Sequence, residues 1–336
     1  MASTKAATGR VIASLLLFTW PTLPQDQPAQ DKPAEDLPPS ISVDVSLVNI
    51  LASVRDKHGG LIGNLTKDDF TVLEDGKPQT IKYFTRETDL PLTIGLLVDV
   101  SASQRNLIDI EKHAARQFFS QVLRKKDEAF LISFGEDSDL LQDYTNSPKL
   151  LQAGLEQLRV SSGVGGIQPS GPVPTISQVR GTVLYDAVYV AANEKLKGEV
   201  GRKVIVLITD GMDEGSKLKI QDAVEAAQKA DAVIYSIDYA DPSAYGPFSF
   251  GHVSDFALQK MSNETGGHVY KVDRRHTLED VFKELQDEMR SQYAIGYTPT
   301  NADKDGSFRK LDIRVSDKNL KVQARKGYYA IKPERS

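Results

Sequence analysis

Residues 92–104 read LTIGLLVDVSASQ, and this stretch decides the fold. The run Leu92–Val98 contains no charged side chain and ends abruptly at Asp99. Two serines, Ser101 and Ser103, then follow at alternate positions. A run that is apolar on both faces is typical of a central strand in a parallel sheet that helices cover on both sides. The stretch therefore predicts a buried strand whose carboxyl end carries one acid and two hydroxyl groups.

Apolar strands alternate with amphipathic helices from residue 91 to about residue 290. The predicted strands span 92–98, 129–134, 203–209, 232–237 and 268–272. The predicted helices span 105–125, 148–158, 183–196, 217–230, 253–264 and 277–290. In the first helix, helical spacing predicts one apolar face made of Leu107, Ile110, Ala114, Phe118 and Val122. This alternation predicts a doubly wound α/β domain with a mostly parallel sheet.

Patterns typical of β-strands flank this region on both sides. In residues 42–90, the pair Asp75-Gly76 separates two apolar runs. It indicates a hairpin, because a tight turn needs residues that tolerate positive φ. Residues 291–336 again have the pattern of strands. Because a lone hairpin is only marginally stable in water, we expect the two segments to pair into one small β-sandwich, with the domain at 91–290 inserted into it.

The N-terminus has the features of an export signal. Lys5 and Arg10 precede the apolar run 11–20, which is too short to span a bilayer. We therefore predict a signal peptide at 1–24, a disordered Pro- and Gln-rich linker at 25–41, and a secreted or periplasmic mature chain without a transmembrane span.

Composition narrows the possible functions. The chain has no cysteine, which excludes disulfides, thiolate metal sites and a cysteine nucleophile. Its net charge is −5 at pH 7, and it contains no long run of Lys or Arg. Nucleic acid is therefore not expected as a partner.

Three separate segments bring oxygen donors to one edge of the predicted sheet. Ligands of open α/β sheets bind beyond the carboxyl ends of the strands. Asp99 and Asp210 lie at such ends, and Thr182 lies in a loop before a predicted helix. Mg²⁺ prefers octahedral oxygen ligands. A mixed set of carboxylates and hydroxyls holds the ion and leaves it electrophilic toward an outside anion.

The motif DVSAS, a later Gly-Thr pair and the sequence TDG resemble the metal-ion-dependent adhesion site of von Willebrand factor type A domains. The family pattern is D-x-S-x-S with a later Thr and Asp, and the matching positions here are Asp99, Ser101, Ser103, Thr182 and Asp210. The resemblance covers residues 91–290. It implies that the hydroxyls contact Mg²⁺ or Mn²⁺ and that the aspartates act directly or through water. It also implies that an Asp or Glu of a protein partner takes the open position.

The flanking sequences extend this resemblance more loosely. LTKDDFTVLEDGKPQTIKYF (65–84), DGSFRKLDIRV (305–315) and ARKGYYA (324–330) resemble a bacterial group of exported proteins that carry a type A domain. The resemblance implies a metal-dependent binding or adhesion module rather than an enzyme, with no catalytic residue.

Other interpretations of the motif remain open. The segment after Asp99 has the composition of a helix cap, in which the carboxylate accepts backbone N–H bonds. A magnesium-dependent phosphoryl transferase like the haloacid dehalogenases would need D-x-D, but the third position here is Ser101. A structural protein of the cell envelope with a non-essential metal site is the remaining alternative.

Further segments offer weaker signals. Residues 301–312, NADKDGSFRKLD, resemble an EF-hand loop, but position twelve is Asp312 and the flanks have the pattern of strands, which favours a hairpin turn. The loops 161–178 and 241–252 are expected at the rim of the metal site, where each either contacts a partner or serves only as a connection. For Asp213 the sequence favours a solvated loop charge, and the alternative is a residue that supports the metal ligands.

Overall fold

The computed structural model describes residues 47–86, 90–161, 181–241 and 255–331. The predicted signal peptide and linker, and nearly all of the loops 161–178 and 241–252, lie outside these residues. The strands are β1 Val48–Arg55, β2 Phe70–Glu74, β3 Lys77–Gln79, β4 Ile81–Arg86, β5 Leu92–Asp99, β6 Glu128–Phe134, β7 Ser138–Thr145, β8 Arg202–Thr209, β9 Ala232–Asp238, β10 Val269–Lys271, β11 Tyr293–Tyr297, β12 Phe308–Val315, β13 Lys321–Ala324 and β14 Gly327–Tyr329. The helices are α1 Ile108–Val122, α2 Pro148–Leu155, α3 Leu184–Val190, which continues as a π-helical stretch Ala191–Leu196, α4 Ile220–Lys229, α5 Asp255–Thr265 and α6 Leu278–Arg290.

A six-stranded sheet in the order β10-β9-β8-β5-β6-β7 forms the centre of the α/β region. Its first five strands are parallel, and β7 pairs with β6 antiparallel. Helices α1, α2 and α6 pack on one face of the sheet, and α3, α4 and α5 pack on the other. The predicted doubly wound, mostly parallel sheet is confirmed. This order makes β5, which ends at Asp99, a direct neighbour of β8, which precedes Asp210.

Strand β7 was missed by the sequence prediction. Its sequence, SDLLQDYT, lacks a strict alternation of buried and exposed residues, and none of its side chains is fully buried. Its pairing with β6 is also irregular, with register shifts near Leu131. An edge strand that buries no side chain fully has little apolar periodicity, so the pattern that predicts buried strands does not detect it.

The N-terminal strands pair with the C-terminal strands in two further antiparallel sheets, in the orders β13-β1-β11-β4 and β14-β12-β2-β3. The two sheets contribute to one hydrophobic cluster, to which Ile50, Val72, Ile295 and Leu311 belong. The expected pairing of the N-terminal β segment with the C-terminal β segment is therefore observed. The more specific prediction of a β-sandwich, and the domain boundaries, stay predictions.

The hairpin signal at Asp75-Gly76 corresponds to the turn between β2 and β3. Both residues have positive φ, +48° and +79°. In the segment that resembles an EF-hand, residues 301–307 connect β11 to β12 and residues 308–312 belong to β12, where Asp312 forms an ion pair with Arg314. The hairpin interpretation of this segment was wrong, because β11 and β12 belong to different sheets and do not pair with each other. Within the described residues, no helix combines the length and apolarity that crossing a bilayer requires.

Helix α1 corrects one detail of the sequence prediction. Ile110 is 45% exposed, whereas Glu111 is completely buried. The inward face therefore contains Leu107, Glu111, Ala114, Phe118 and Val122. The i, i+4 and i, i+3 spacing of this set is as regular as that of the predicted set. Periodicity favoured Ile110 only because it is apolar, and the buried carboxyl group lies toward the carboxyl edge of the sheet.

Candidate metal centre

Asp99 is the last residue of β5, and its side chain is completely buried. One carboxylate oxygen, Oδ1, accepts a hydrogen bond from the Ser101 backbone N–H at 2.9 Å. The other, Oδ2, accepts one from the Thr209 hydroxyl at 2.6 Å. The backbone turn after β5 and the end of β8 therefore fix both oxygens of this carboxylate.

The two serines continue the arrangement outward from Asp99. Ser101 Oγ and Ser103 Oγ lie 3.0 Å apart, and the Ser103 hydroxyl donates to Asp210 Oδ2 at 2.6 Å. Both serines are partly exposed, whereas the two aspartates are buried. Four of the five predicted residues are thus joined in one hydrogen-bonded chain, with carboxylates inside and hydroxyls toward the surface.

Asp210 follows β8 directly and is 2% exposed. Its Oδ1 accepts a hydrogen bond from the Met212 backbone N–H at 3.0 Å. Its Oδ2 accepts from Ser103 and also from Gln104 Nε2, at 3.2 Å. Every partner named here for Asp99 and Asp210 is a neutral donor.

Thr182, the fifth predicted residue, is buried in the loop before α3. Its carbonyl oxygen accepts the backbone N–H groups of Glu214 and Gly215, both at 3.1 Å, which attaches this loop to the segment after Asp210. The approach is close: a Cβ atom at Gly215 would lie 2.4 Å from the carbonyl oxygen of Gly181. Among the described residues, the chain of hydrogen bonds that joins the other four, which includes the Ser101 backbone N–H, does not include the Thr182 hydroxyl.

Asp213 is half-buried and stabilises the same loop. Its carboxylate accepts the Ser216 hydroxyl at 2.5 Å and the Tyr185 backbone N–H at 3.3 Å. Burial raises the pKa of Asp213 above its usual value. Because the second bond satisfies a backbone donor at the start of α3, these contacts agree with the supporting role for Asp213 better than with a solvated charge.

The electrostatics of the two aspartates match the requirements of a cation site. Burial, with a further contribution from the negative charge of Asp210, raises the pKa of Asp99 to about 7. Two neighbouring buried carboxylates are costly to ionise together. A divalent cation would favour their ionised form, and the hydroxyls beside them are hard oxygen donors of the kind that Mg²⁺ accepts. In the described part of the chain, no group of three or more His, Cys, Asp or Glu residues could hold a metal. The candidate set differs from such groups because it combines two carboxylates with hydroxyls.

Sequence reasoning missed three residues that support this arrangement. Thr209 is fully buried, and its hydroxyl holds Asp99 and also accepts the Gly211 N–H at 3.1 Å. Gln104 is fully buried and donates to Asp210, and Glu111 is fully buried where the charges of Asp99 and Asp210 act on it. Thr209 was the most detectable, because a hydroxyl residue ends the apolar run of β8 immediately before Asp210.

Two family models match the chain. Both describe the von Willebrand factor type A domain, one over residues 94–212 and the other over residues 175–284. The chain contains a von Willebrand factor type A domain. Domains of this family are protein-interaction modules, and the family's metal-ion-dependent adhesion site binds a divalent metal. The matched region contains Asp99, Ser101, Ser103, Thr182 and Asp210.

Among relatives, an uncharacterized protein of Borreliella burgdorferi is 23% identical over 233 residues, which cover 66% of this chain and 59% of the relative. This chain therefore matches less than two thirds of that relative's length. Among solved structures, BatB of Bacteroides thetaiotaomicron is 16% identical, with a TM-score of 0.43 over 59% of this chain and 97% of BatB. Proximal thread matrix protein 1 of the mussel byssus, solved with a zinc-occupied adhesion motif, is 12% identical, with a TM-score of 0.44 over 65% of this chain and 50% of that protein.

Proposed function

We propose that this protein is an exported, non-enzymatic binding module whose type A domain holds Mg²⁺ or Mn²⁺ and uses it to bind an acidic side chain of a protein partner. One observation carries the proposal. Asp99, Ser101, Ser103 and Asp210 come from two strand ends and form a continuous hydrogen-bonded chain at the carboxyl edge of the sheet.

Each residue has a distinct task in this proposal. Ser101, Ser103 and Thr182 supply neutral oxygens to the metal. Asp99 and Asp210 supply charge, directly or through water. A bound divalent cation would offer an open coordination position to the Asp or Glu of a partner. The two carboxylates balance the ion's formal charge of +2. The three hydroxyls are weak neutral donors, so the ion stays electrophilic and its open position can accept the partner's carboxylate.

The alternative enzymatic function has less support. A phosphoryl transferase of the D-x-D type needs a second carboxylate two positions after the first, and Ser101 occupies that position. The Ser101 hydroxyl lies 3.0 Å from Ser103 Oγ, in the hydrogen-bonded chain to Asp210. A purely structural role in the envelope remains the main rival, and it differs from our proposal in predicting that partner binding does not need metal.

The valine variant of Thr182 tests the metal site through its least connected member. Thr182→Val removes the hydroxyl but keeps the shape of the side chain and the carbonyl that Glu214 and Gly215 contact. We expect Mg²⁺ affinity to fall about tenfold, equivalent to about 1.4 kcal/mol, with an almost unchanged melting temperature in EDTA. Isothermal titration of Mg²⁺ into the full chain measures the first effect, and calorimetry measures the second.

Thr93→Val is the matched control for this experiment. Thr93 is also a buried threonine, but it lies at the opposite end of β5. Its replacement should leave Mg²⁺ affinity unchanged. Equal affinity of Thr182→Val and the unmodified protein for Mg²⁺ would remove Thr182 from the ligand set.

Partner binding is tested by capture. The immobilised full chain is incubated with cell-envelope extract in Mg²⁺, washed, and eluted with EDTA. Proteins that EDTA releases from the unmodified chain, and that Thr182→Val captures poorly, support the proposal. Capture that is as strong in EDTA as in Mg²⁺ favours the structural role instead.

Export is the part of the proposal that rests on the N-terminal sequence alone. Lys5, Arg10 and the apolar run 11–20 support a cleaved signal peptide. N-terminal sequencing of the mature protein should therefore begin between about residues 21 and 35. Recovery of intact Met1 on protein in the cytoplasm would contradict export without affecting the metal site.

A further inference from the structure

Two fully buried side chains behind the candidate metal centre have oxygens without a hydrogen-bond partner. They are Gln104 Oε1 and both carboxyl oxygens of Glu111. Each residue has no exposed surface. A buried acceptor without a donor destabilises the folded state, so three such atoms in one region indicate that one of the two groups carries a proton and donates to the other.

Gln104 and Glu111 share their surroundings. The Gln104 amide group donates from Nε2 to Asp210 Oδ2 and to the Tyr239 carbonyl oxygen, both at 3.2 Å. Burial raises the pKa of Glu111 well above its usual range, and the charges of Asp99 and Asp210 raise it further. Asp210 therefore contacts Gln104 directly, and its charge also acts on Glu111.

The local backbone places the two side chains on one face. The Leu107 N–H donates to the Gln104 carbonyl at 2.8 Å, and the Glu111 N–H donates to the Leu107 carbonyl at 2.9 Å. Two successive turns thus separate Gln104 from Glu111. A spacing of seven residues at about 3.6 residues per turn brings side chains to the same side of a helical segment.

The chemistry of the two groups is complementary only when Glu111 carries its proton. An ionised carboxylate and an amide oxygen are both acceptors, whereas a carboxylic acid has one O–H donor. Both burial and the neighbouring acids favour the un-ionised form. An amide whose oxygen accepts this proton must direct its NH₂ group the other way, toward Asp210.

We propose that Glu111 is a positioning residue of the metal centre: its carboxyl group donates a hydrogen bond to Gln104 Oε1, which orients the Gln104 amide so that Nε2 donates to Asp210. This inference rests on the proposed function only in treating Asp210 as a metal ligand. The hydrogen bond between Glu111 and Gln104 stands independently of it. In the folded protein, Glu111 prepares Asp210 for the metal without contacting the metal.

Two neutral substitutions test whether Glu111 acts as a hydrogen-bond donor. Glu111→Gln keeps the shape and an N–H donor for Gln104 Oε1, and Glu111→Met keeps the length but has no donor. In Mg²⁺ titrations of the full chain, we expect Glu111→Gln to bind within about threefold of the unmodified protein and Glu111→Met to bind at least about tenfold more weakly. The melting temperature of Glu111→Met in EDTA should be lower than that of Glu111→Gln, because methionine leaves the buried Gln104 Oε1 without a donor.

A metal-free measurement keeps this proposal separate from the proposed function. The Gln104 side-chain NH₂ resonances are observed by NMR in protein labelled with ¹⁵N-glutamine, and a Gln104→Met variant assigns them. Slow solvent exchange of these protons should persist in Glu111→Gln and be lost in Glu111→Met. If exchange is slow in all three proteins, or if Glu111→Gln behaves like Glu111→Met, Glu111 does not orient the Gln104 amide. If the unmodified protein shows the expected exchange but binds no Mg²⁺, the hydrogen bond between Glu111 and Gln104 stands and the proposed function fails.

Discussion

Replacing Asp99 by asparagine should abolish the rise in melting temperature that Mg²⁺ produces in the unmodified protein. A ligand that binds only the folded state stabilises it by mass action, by about 2.7 kcal/mol at a free concentration of about one hundred times Kd. Asp99 is completely buried between β5 and β8 and provides one of the two charges of the site. Asparagine fills the same space without that charge, so the variant should gain no stability from Mg²⁺ and should lose capture of the partner.

The same variant should be at least as stable as the unmodified protein when metal is absent. The pKa of Asp99 rises to about 7 in the folded state from an ordinary value of 3.8. The folded metal-free protein therefore binds a proton more tightly than the unfolded chain, and its stability falls as the pH rises from about 4 to about 7. Asp99→Asn should remove this part of the pH dependence. Calorimetry in EDTA across that range measures it.

Asp127→Asn provides a matched control. Asp127 is also a buried aspartate, but it accepts the backbone N–H groups of Leu92 and Arg124, both at 3.0 Å, at the amino ends of β5 and β6. Its replacement should lower the melting temperature in EDTA and leave the rise with Mg²⁺ intact. A full Mg²⁺-dependent rise in Asp99→Asn, or partner binding by that variant that resists EDTA, would contradict the adhesion-site mechanism.

Replacing Arg55 by methionine should lower the free energy of unfolding by about 3–5 kcal/mol, the usual cost of leaving a buried charge without its partner. Arg55 lies at the end of β1 and forms an ion pair with Glu288 of α6, whose side chain is completely buried. Glu288 also accepts hydrogen bonds from the Ser53 hydroxyl at 2.8 Å and the Tyr270 hydroxyl at 2.7 Å. Without Arg55, the negative charge of the buried Glu288 carboxylate would be stabilised by these neutral hydroxyl donors and no longer by a cation.

A double variant distinguishes charge from packing at this position. Arg55→Met with Glu288→Met removes both charges, and apolar replacement of a whole buried pair is often neutral or stabilising. The double variant should therefore recover most of the loss in urea denaturation. Lys271→Met is the control, because it breaks an exposed pair with Asp255 that contributes less than about 1 kcal/mol. A double variant as unstable as Arg55→Met would show that packing, rather than the unpaired charge, causes the loss.

The prediction of the fold succeeded where burial imposed a pattern on the chain. Strands β5 and β8 are apolar on both faces because helices cover both sides of the sheet, and the sequence alone predicts this pattern. The sequence also predicts the hairpin at Asp75-Gly76, because positive φ restricts the residue types that a tight turn accepts. Strand β7 left no such pattern, because it is an edge strand.

The candidate site divides in the same way. The sequence by itself determined the hard oxygen donors at the strand ends, since Asp99 and Asp210 interrupt apolar runs and Ser101 and Ser103 follow in a short turn. Only the tertiary structure decided that Glu111 rather than Ile110 is buried, that Gln104 reaches Asp210, and that Arg55 pairs with Glu288 233 positions away. Periodicity shows which face of an element is buried, but a buried polar group depends on partners that distant segments supply. Those partners become neighbours only once β8 lies beside β5 and β1 lies against α6.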